Sequence, residues 1–321
     1  MQRTIGVDVG NYDTKTQETT TPSSYKRFKI KNVLDEESVF YDGYYYSPTL
    51  ERNNQQQDKT ENDYCFIMSL FAIAKEIIFE IRREHDGISY EDLQREIAKV
   101  DEIHLGVGLP VGHLSSLAKK TTDLYYSKMQ NGITFIYSAN NRDYEFNFKL
   151  TKCAAYAQDY TAVAFNDSLE IPKQFEDYYV IGIGGGTTDY IKVHNARPVI
   201  ESCSSLIKGT TILYNAIIAV IQQETGRTMD YATVEAVLLN KNTVIDEETK
   251  KRIKEVADEY ANKLIEELIQ KGVKLTDYPS VFIGGGGNML RPCIEKNSNI
   301  ARAEFIPDVN ANAKYYAEFV R

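Results

Sequence analysis

One glycine-bearing hairpin pattern occurs twice in this chain at a fixed offset. The first copy reads Ile5-Gly6-Val7-Asp8-Val9-Gly10-Asn11-Tyr12-Asp13-Thr14-Lys15, and the second reads Val180-Ile181-Gly182-Ile183-Gly184-Gly185-Gly186-Thr187-Thr188-Asp189. Gly10 and Gly184 lie 174 positions apart, as do Thr14 and Thr188. Each copy predicts an apolar strand, a tight turn of small or polar residues and a returning strand, so that N–H groups of the turn can converge on a phosphate. Two such hairpins facing each other would clamp a polyphosphate from both sides. A chain of 321 residues is also long for one core, and two domains of about 150 residues each are expected.

The stretches between and after the hairpins carry readable periodicities. Aromatic and β-branched residues at 26–33 and 38–46 predict strands separated by the acidic turn Asp35-Glu36-Glu37, and 53–59 reads as a polar loop. Over 64–83, Ile67, Leu70, Phe71, Ala74, Ile77, Ile78 and Ile81 recur at helical spacing. That spacing predicts a core-packing helix with Lys75, Glu76, Arg82 and Arg83 mostly on another face. An apolar strand at 102–108 runs into Gly108-Leu109-Pro110, after which a helix can begin near Leu114. Residues 132–150 predict another hairpin, 154–165 a short helix, and 172–177 a linker into the second glycine hairpin. Strands to about Cys203 follow, then helices at 210–224, 230–239 and 246–271, and a strand at 280–283 that opens a further helix. In each half, strands come first and helices then alternate with strands, which argues for a duplicated α/β domain with mixed sheets.

Three glycine clusters carry the chemistry. An acid at the end of the first strand, Asp8, can hold the water shell of Mg²⁺, which takes only one or two carboxylates. Gly10 lets backbone approach a phosphate, and Lys15 on the return strand supplies a compact positive charge; a plain hairpin with a polar turn is the alternative for this motif alone. Adjacent glycines weaken a strand, so Gly184, Gly185 and Gly186 call for close backbone approach. The third cluster, Gly284-Gly285-Gly286-Gly287-Asn288, follows a strand and opens a helix, a context that suits an anion or a flat heterocycle.

In this order the clusters resemble the actin-type ATPase superfamily. Asp8 to Lys15 matches the spacing D-x-G-x-x-x-x-K of its first phosphate loop, Gly182 to Asp189 resembles the second, and Gly284 to Asn288 the adenosine loop. The segment Tyr156-Ala157-Gln158-Asp159-Tyr160-Thr161-Ala162-Val163 resembles the crossing helix whose Gln or Glu positions the attacking water. Gly106-Val107-Gly108-Leu109-Pro110-Val111 and Val309-Asn310-Ala311-Asn312-Ala313-Lys314-Tyr315 resemble segments of ParM-type plasmid-segregation actins, although the glycine usual after Asn-Ala is absent.

This resemblance implies an actin-like α/β fold of two ribonuclease-H-like domains flanking a nucleotide cleft. Domain I would span 1–155 and take back 306–321, and domain II would span 156–305. It further implies Mg²⁺ with ATP or GTP. The nucleotide would be held by Asp8, Gly10, Asn11, Asp13, Thr14, Lys15, Gly184, Gly185, Gly186, Thr187, Glu235, Gly284, Gly285, Gly286, Gly287 and Asn288. Asp8 would be the metal residue, and Gln158 with Asp8 would be catalytic. One departure stands out. The second phosphate loop normally opens with aspartate, and the repeat asks for one at the same place, yet the chain has Gly182. Slow hydrolysis is the expected consequence.

The expected activity is nucleotide-dependent, head-to-tail filament assembly that segregates plasmid or phage DNA through an adaptor protein. The alternatives are a non-polymerising, nucleotide-bound scaffold and a small-molecule kinase or phosphatase of the same superfamily. A net charge of −9 disfavours a broad nucleic-acid-binding face on the chain itself. Cys65, Cys153, Cys203 and Cys293 form no CxxC pair, and His85, His104, His113 and His194 are scattered, so neither a zinc site nor a disulfide framework is expected. No window approaches 18 apolar residues and the N-terminus enters a strand directly; a cytoplasmic protein without membrane contact is expected.

Overall fold

The computed structural model describes residues 1–32, 35–49 and 63–321. The chain divides into two compact units, Met1–Ala162 with Asn310–Arg321, and Val163–Val309. The loop expected at 53–59 lies outside the described residues.

In the first unit, β1 (Gln2–Val9), β2 (Asp13–Lys15) and β3 (Thr20–Pro22) open the chain, followed by β4 (Tyr25–Phe28), β5 (Glu37–Tyr41) and β6 (Tyr44–Pro48). Helices α1 (Tyr64–Glu84) and α2 (Tyr90–Ala98), strand β7 (Glu102–Leu109), helix α3 (Val111–Met129) and strands β8 (Ile133–Ala139) and β9 (Arg142–Ala157) come next, and the division between the units falls within helix α4 (Tyr160–Ala164). The described strands form one mixed sheet in the order β3-β2-β1-β7-β9-β8-β5-β6-β4. β1, β7 and β9 run parallel at its centre. Ile5–Val9 of β1 and Leu105–Leu109 of β7 are buried throughout, as doubly covered parallel strands are, whereas β9 alternates buried and exposed residues over Tyr144–Leu150. α1 packs on this sheet with Phe66, Ile67, Leu70, Phe71, Ile77 and Ile81 buried.

The second unit contains α5 (Ile171–Gln174), β10 (Asp177–Ile183), β11 (Thr188–His194), β12 (Arg197–Pro198), a 3₁₀ turn Ile200–Ser202 and β13 (Ser204–Leu206). Then follow α6 (Thr210–Thr225), α7 (Tyr231–Leu238), α8 (Glu247–Gln270), β14 (Ser280–Ile283), α9 (Gly285–Ile294) and β15 (Ala303–Phe305). Its sheet has the order β12-β11-β10-β14-β15, with β13 also on β11. A hairpin followed inward by parallel strands is the arrangement of β2-β1-β7-β9 again. α10 (Ala311–Val320) belongs to the first unit.

Several elements differ from expectation for physical reasons. The strand expected at 38–46 is a hairpin, because Asp42 and Gly43 both take positive φ, as a two-residue turn requires. Residues 154–157, expected in a helix, stay extended because β9 pairs with β7 as far as Leu109↔Ala157; the helix starts at Tyr160. α3 begins directly after Pro110 rather than near Leu114. Pro172, expected in a linker, sits in the first turn of α5, where no N–H is needed. Glu76, expected on the polar face of α1, is buried and accepts bonds from Thr16 Oγ1 (2.5 Å) and the Glu18 N–H (3.2 Å). Helix α2 was not expected; Ser89 caps it by accepting from the Asp92 N–H.

Candidate functional site

The two glycine hairpins have one register. Asp8 pairs with Lys15 and Val9 with Thr14; Gly182 pairs with Asp189 and Ile183 with Thr188. Their turns close on the same bond, from the Gly10 N–H to the Asp13 carbonyl (3.1 Å) and from the Gly184 N–H to the Thr187 carbonyl (2.9 Å). The offset of 174 therefore persists down to individual hydrogen bonds. Directly opposed residues of an antiparallel pair share a face of the sheet. Asp8 thus shares its face with Lys15, while Asp189 stands on the face where a side chain at 182 would be. Asn11 is exposed at the first turn, Asp13 and Lys15 are half-buried, and Thr14 is buried with its hydroxyl 2.8 Å from Ser23 Oγ.

Behind Asp8 lies a polar network drawn from three distant segments. Asp8, Asp159 and Asn312 are only 6%, 6% and 7% exposed. Asn312 Nδ2 donates to Asp8 Oδ2 (3.2 Å) and to Asp159 Oδ1 (2.9 Å), while Asn312 Oδ1 accepts from the Asp159 N–H (3.0 Å). Asp159 takes φ 61°, the left-handed region that Asp tolerates better than most residues. Gln158, between β9 and α4, is half-buried and donates its N–H to the Leu109 carbonyl (2.8 Å).

Glycines bring α10 this close. A Cβ on Gly6 would lie 1.8 Å from the Ala313 carbonyl oxygen, and one on Gly106 would lie 2.4 Å from that of Tyr316. Gly6 and Gly106 are paired across β1 and β7, so together they form a bare seat for the helix. The Tyr316 phenol is fully buried with no hydrogen-bond partner, and its pKa is raised by burial first and then by the charges of Asp8 and Asp159.

In the second unit Gly184–Gly186, Gly209 and the Gly284–Gly287 run pack together next to Ile183. The Thr210 and Thr211 N–H groups donate to the Gly184 and Gly185 carbonyls, each at 2.9 Å. A Cβ on Gly209 would lie 2.4 Å from the Gly185 carbonyl oxygen, and one on Gly284 would lie 2.6 Å from that of Ile183. Gly284 holds φ 93° as it turns β14 into α9, whose first turn contains Gly285, Gly286 and Gly287. Gly184 is exposed, Gly185 half-buried and Gly186 buried, and the Thr187 hydroxyl donates to Asp189 Oδ2 (3.0 Å). Tyr260 of α8 donates to the Gly209 carbonyl (3.0 Å).

Glu235, half-buried on α7, accepts from Tyr214 Oη (3.2 Å), which also lies 3.2 Å from Met289 Sδ of α9. Asn288 Nδ2 is bound to the Pro307 carbonyl (2.8 Å) and so anchors the start of α9. Sequence reasoning had not given Asp159, Asn312 and Tyr214 roles of their own. Asp159 and Asn312 stood inside motifs it quoted, but 153 positions separate them, and no local pattern links them.

Residues 180–296 match the family model of the archaeal actin homologue MreB-like, C-terminal. Along 98% of its length the chain is similar to Ta0583, an archaeal actin homolog, in complex with ADP, with TM-score 0.71, 20% identity and 98% of that chain covered. It is similar over 98% of its length to Bacillus thuringiensis ParM with ATP, at TM-score 0.66, 11% identity and 97% coverage of that chain. The Alp12 filament structure matches over 99% of this chain and 98% of its own, at TM-score 0.63 and 15% identity. No curated protein matches the chain in sequence.

Proposed function

We propose that this chain, whose fold is similar to that of the archaeal actin homolog, ParM and Alp12 structures, binds ATP with magnesium and assembles head to tail into filaments. The observation that supports this most is the pair of hairpins with identical register and turn bonds. Each offers backbone N–H groups at a glycine turn, and phosphate oxygens are their natural acceptors.

The residues fit these ligands. Asp8 is buried with Oδ1 unpartnered, a carboxylate oxygen left for a cation or its water. Magnesium takes only one or two carboxylates and completes its shell with water and phosphate, so a single buried acid can serve it. Bound magnesium would neutralise phosphate charge. Gly10, Asn11, Asp13, Thr14 and Lys15 of the first hairpin and Gly184, Gly185, Gly186 and Thr187 of the second would receive the phosphates. The start of α9, from Gly284 to Asn288, would carry the adenosine, and Glu235, oriented by Tyr214, would meet the ribose or base. Gln158 would orient the attacking water. With Gly182 where a second acid is expected, hydrolysis would be slow, and filaments would persist in ATP.

The chain's cargo in this reading is plasmid or phage DNA, held through a separate basic adaptor, because an acidic chain of pI about 5.2 repels the phosphate backbone. No helix among the described residues is long and apolar enough to cross a membrane. Gly182 favours a second reading, a nucleotide-bound scaffold that does not turn over. Light scattering and negative-stain electron microscopy separate the two: filaments should appear with ATP or a non-hydrolysable analogue above a critical concentration. A monomer at every nucleotide condition, even at high protein concentration, would overturn the filament reading. Asp8→Ala should weaken magnesium-dependent ATP binding in calorimetry, and unchanged affinity would remove Asp8 from the site.

A further inference from the structure

Resting on the ATP–magnesium reading, we propose that Asp159 is a second carboxylate of the metal site and that Asn312 of the C-terminal helix sets its spacing from Asp8. All of these residues lie in the first unit. Their two carboxylate oxygens share one donor, Asn312 Nδ2, at 3.2 and 2.9 Å, so they stand no more than about 6 Å apart.

Two acids this buried repel each other and lose hydration, and a carboxamide offers hydrogen bonds without charge. Asp8 forms no ion pair among the described residues, and its Oδ1 has no hydrogen-bond partner. A latch for α10 alone would need one acid. The second, with an unpaired oxygen beside it, calls for a cation, and a cation with its water shell is satisfied by two carboxylates. Asn312 is used at both ends, since its oxygen also holds the Asp159 backbone in its left-handed conformation. The carboxylate pair is therefore set by α10, and α10 is seated on the strand that carries Asp8. Asp159 would share the metal duty that the repeat assigns to position 182, while the water-orienting duty at 182 stays vacant.

The quantity to measure is the gain in ATP affinity on adding magnesium, relative to EDTA, by calorimetry on the full chain. Asp159→Asn keeps the backbone bond and nearly the same shape. It should lower the gain by about 10- to 100-fold, the usual effect of outer-shell changes at metal sites, without lowering affinity in EDTA, where losing a carboxylate only eases its repulsion of phosphate. Asn312→Ala should lower the gain similarly, and the double variant no further. Should Asn312→Ala fail to fold, Mn²⁺ binding to the ATP-bound Asp159→Asn chain, read by electron paramagnetic resonance, should weaken by the same factor. A full gain in Asp159→Asn, with only thermal unfolding altered, would overturn the proposal and leave Asp159 a structural latch. Wild-type chain that binds ATP equally with and without magnesium would instead overturn the magnesium reading beneath it.

Discussion

The two hairpins share a backbone and differ in what surrounds it. The first pairs Asp8 with Lys15, and its outgoing chain is buttressed from α1 by the buried acid Glu76. The second pairs Gly182 with Asp189 and is braced by the Thr210 and Thr211 N–H groups at the start of α6 and by the Thr188 hydroxyl on the Lys208 carbonyl, with no buried acid in the part that Glu76 plays. What duplication preserved is the turn and its hydrogen bond. Charge and support were free to diverge, because neither is needed to aim the turn's N–H groups.

The largest divergence is steric. Gly6 faces α10, and its repeat position is Val180, a buried residue paired with Val281. Gly6→Ala would force a methyl into the Ala313 carbonyl, a backbone atom that moves only with the helix. We expect destabilisation of about 3 kcal/mol or more and a fall in Tm of about 6 °C or more. Thermal unfolding within about 2 °C of wild type would show that α10 is not held by this seat.

Next comes the transposed acid. Gly182→Asp should restore a water-orienting carboxylate and raise phosphate release on the order of 10²-fold, the usual effect of one positioning contact. It should also destabilise the second unit by up to about 1 kcal/mol, because the new carboxylate faces Asp189 across the ladder. Gln158→Ala in the natural background should lower the remaining rate further. A wild-type rate already equal to that of Gly182→Asp would point to Asp189, which stands on the required face.

Helix α1, which carries Glu76, also carries an acid that makes the first unit sensitive to pH. Glu80 of α1 has its pKa raised from 4.5 to about 7, by burial first, with Glu76 and Glu84 adding and Arg3 opposing. Since the folded value is the higher, the folded chain keeps a proton that the unfolded chain releases. Stability is then lost as pH rises from about 4.5 to about 7 and levels off above. After allowance for partial exposure the loss is on the order of 2 kcal/mol. Glu80→Gln should flatten that slope in thermal unfolding from pH 5 to 8, and an unchanged slope would exclude Glu80 as its source.

These contrasts also mark where sequence reading succeeded. The hairpins were legible because strand, turn and return lie within about ten residues and the register follows from local pairing. The delivery of Gly284 to a helix start was legible for the same reason. Glu76 was misplaced because helical spacing alone cannot show that Thr16 and Glu18 would fold over that face. Helix α2 had a signal, Ser89 three residues before Asp92 with Leu93 and Ile97 following, but only two buried apolar residues to announce it. The Asp8–Asn312–Asp159 network had none, since it exists only once α10 has docked on β1 and β7.

The smallest expected effect separates turn-building from ligand-holding. Gly10 and Gly184 are repeat equivalents, and neither requires positive φ, so alanine is conformationally allowed at both. A Cβ on Gly10 would lie 2.8 Å from the Asp13 carbonyl, whereas one on Gly184 would lie 3.5 Å from that of Thr187, an ordinary contact. Gly10→Ala should therefore destabilise by about 1 kcal/mol, and Gly184→Ala should fall within about 0.5 kcal/mol of wild type or gain slightly from a less flexible unfolded chain. In the proposed site both methyls would nonetheless stand where phosphate oxygens would approach the turn. Gly184→Ala is thus the cleaner probe: its unfolding should barely change while its ATP affinity drops several-fold. Unchanged affinity with unchanged stability would mean that no phosphate rests on the second turn, and the two hairpins would then share a backbone without sharing a purpose.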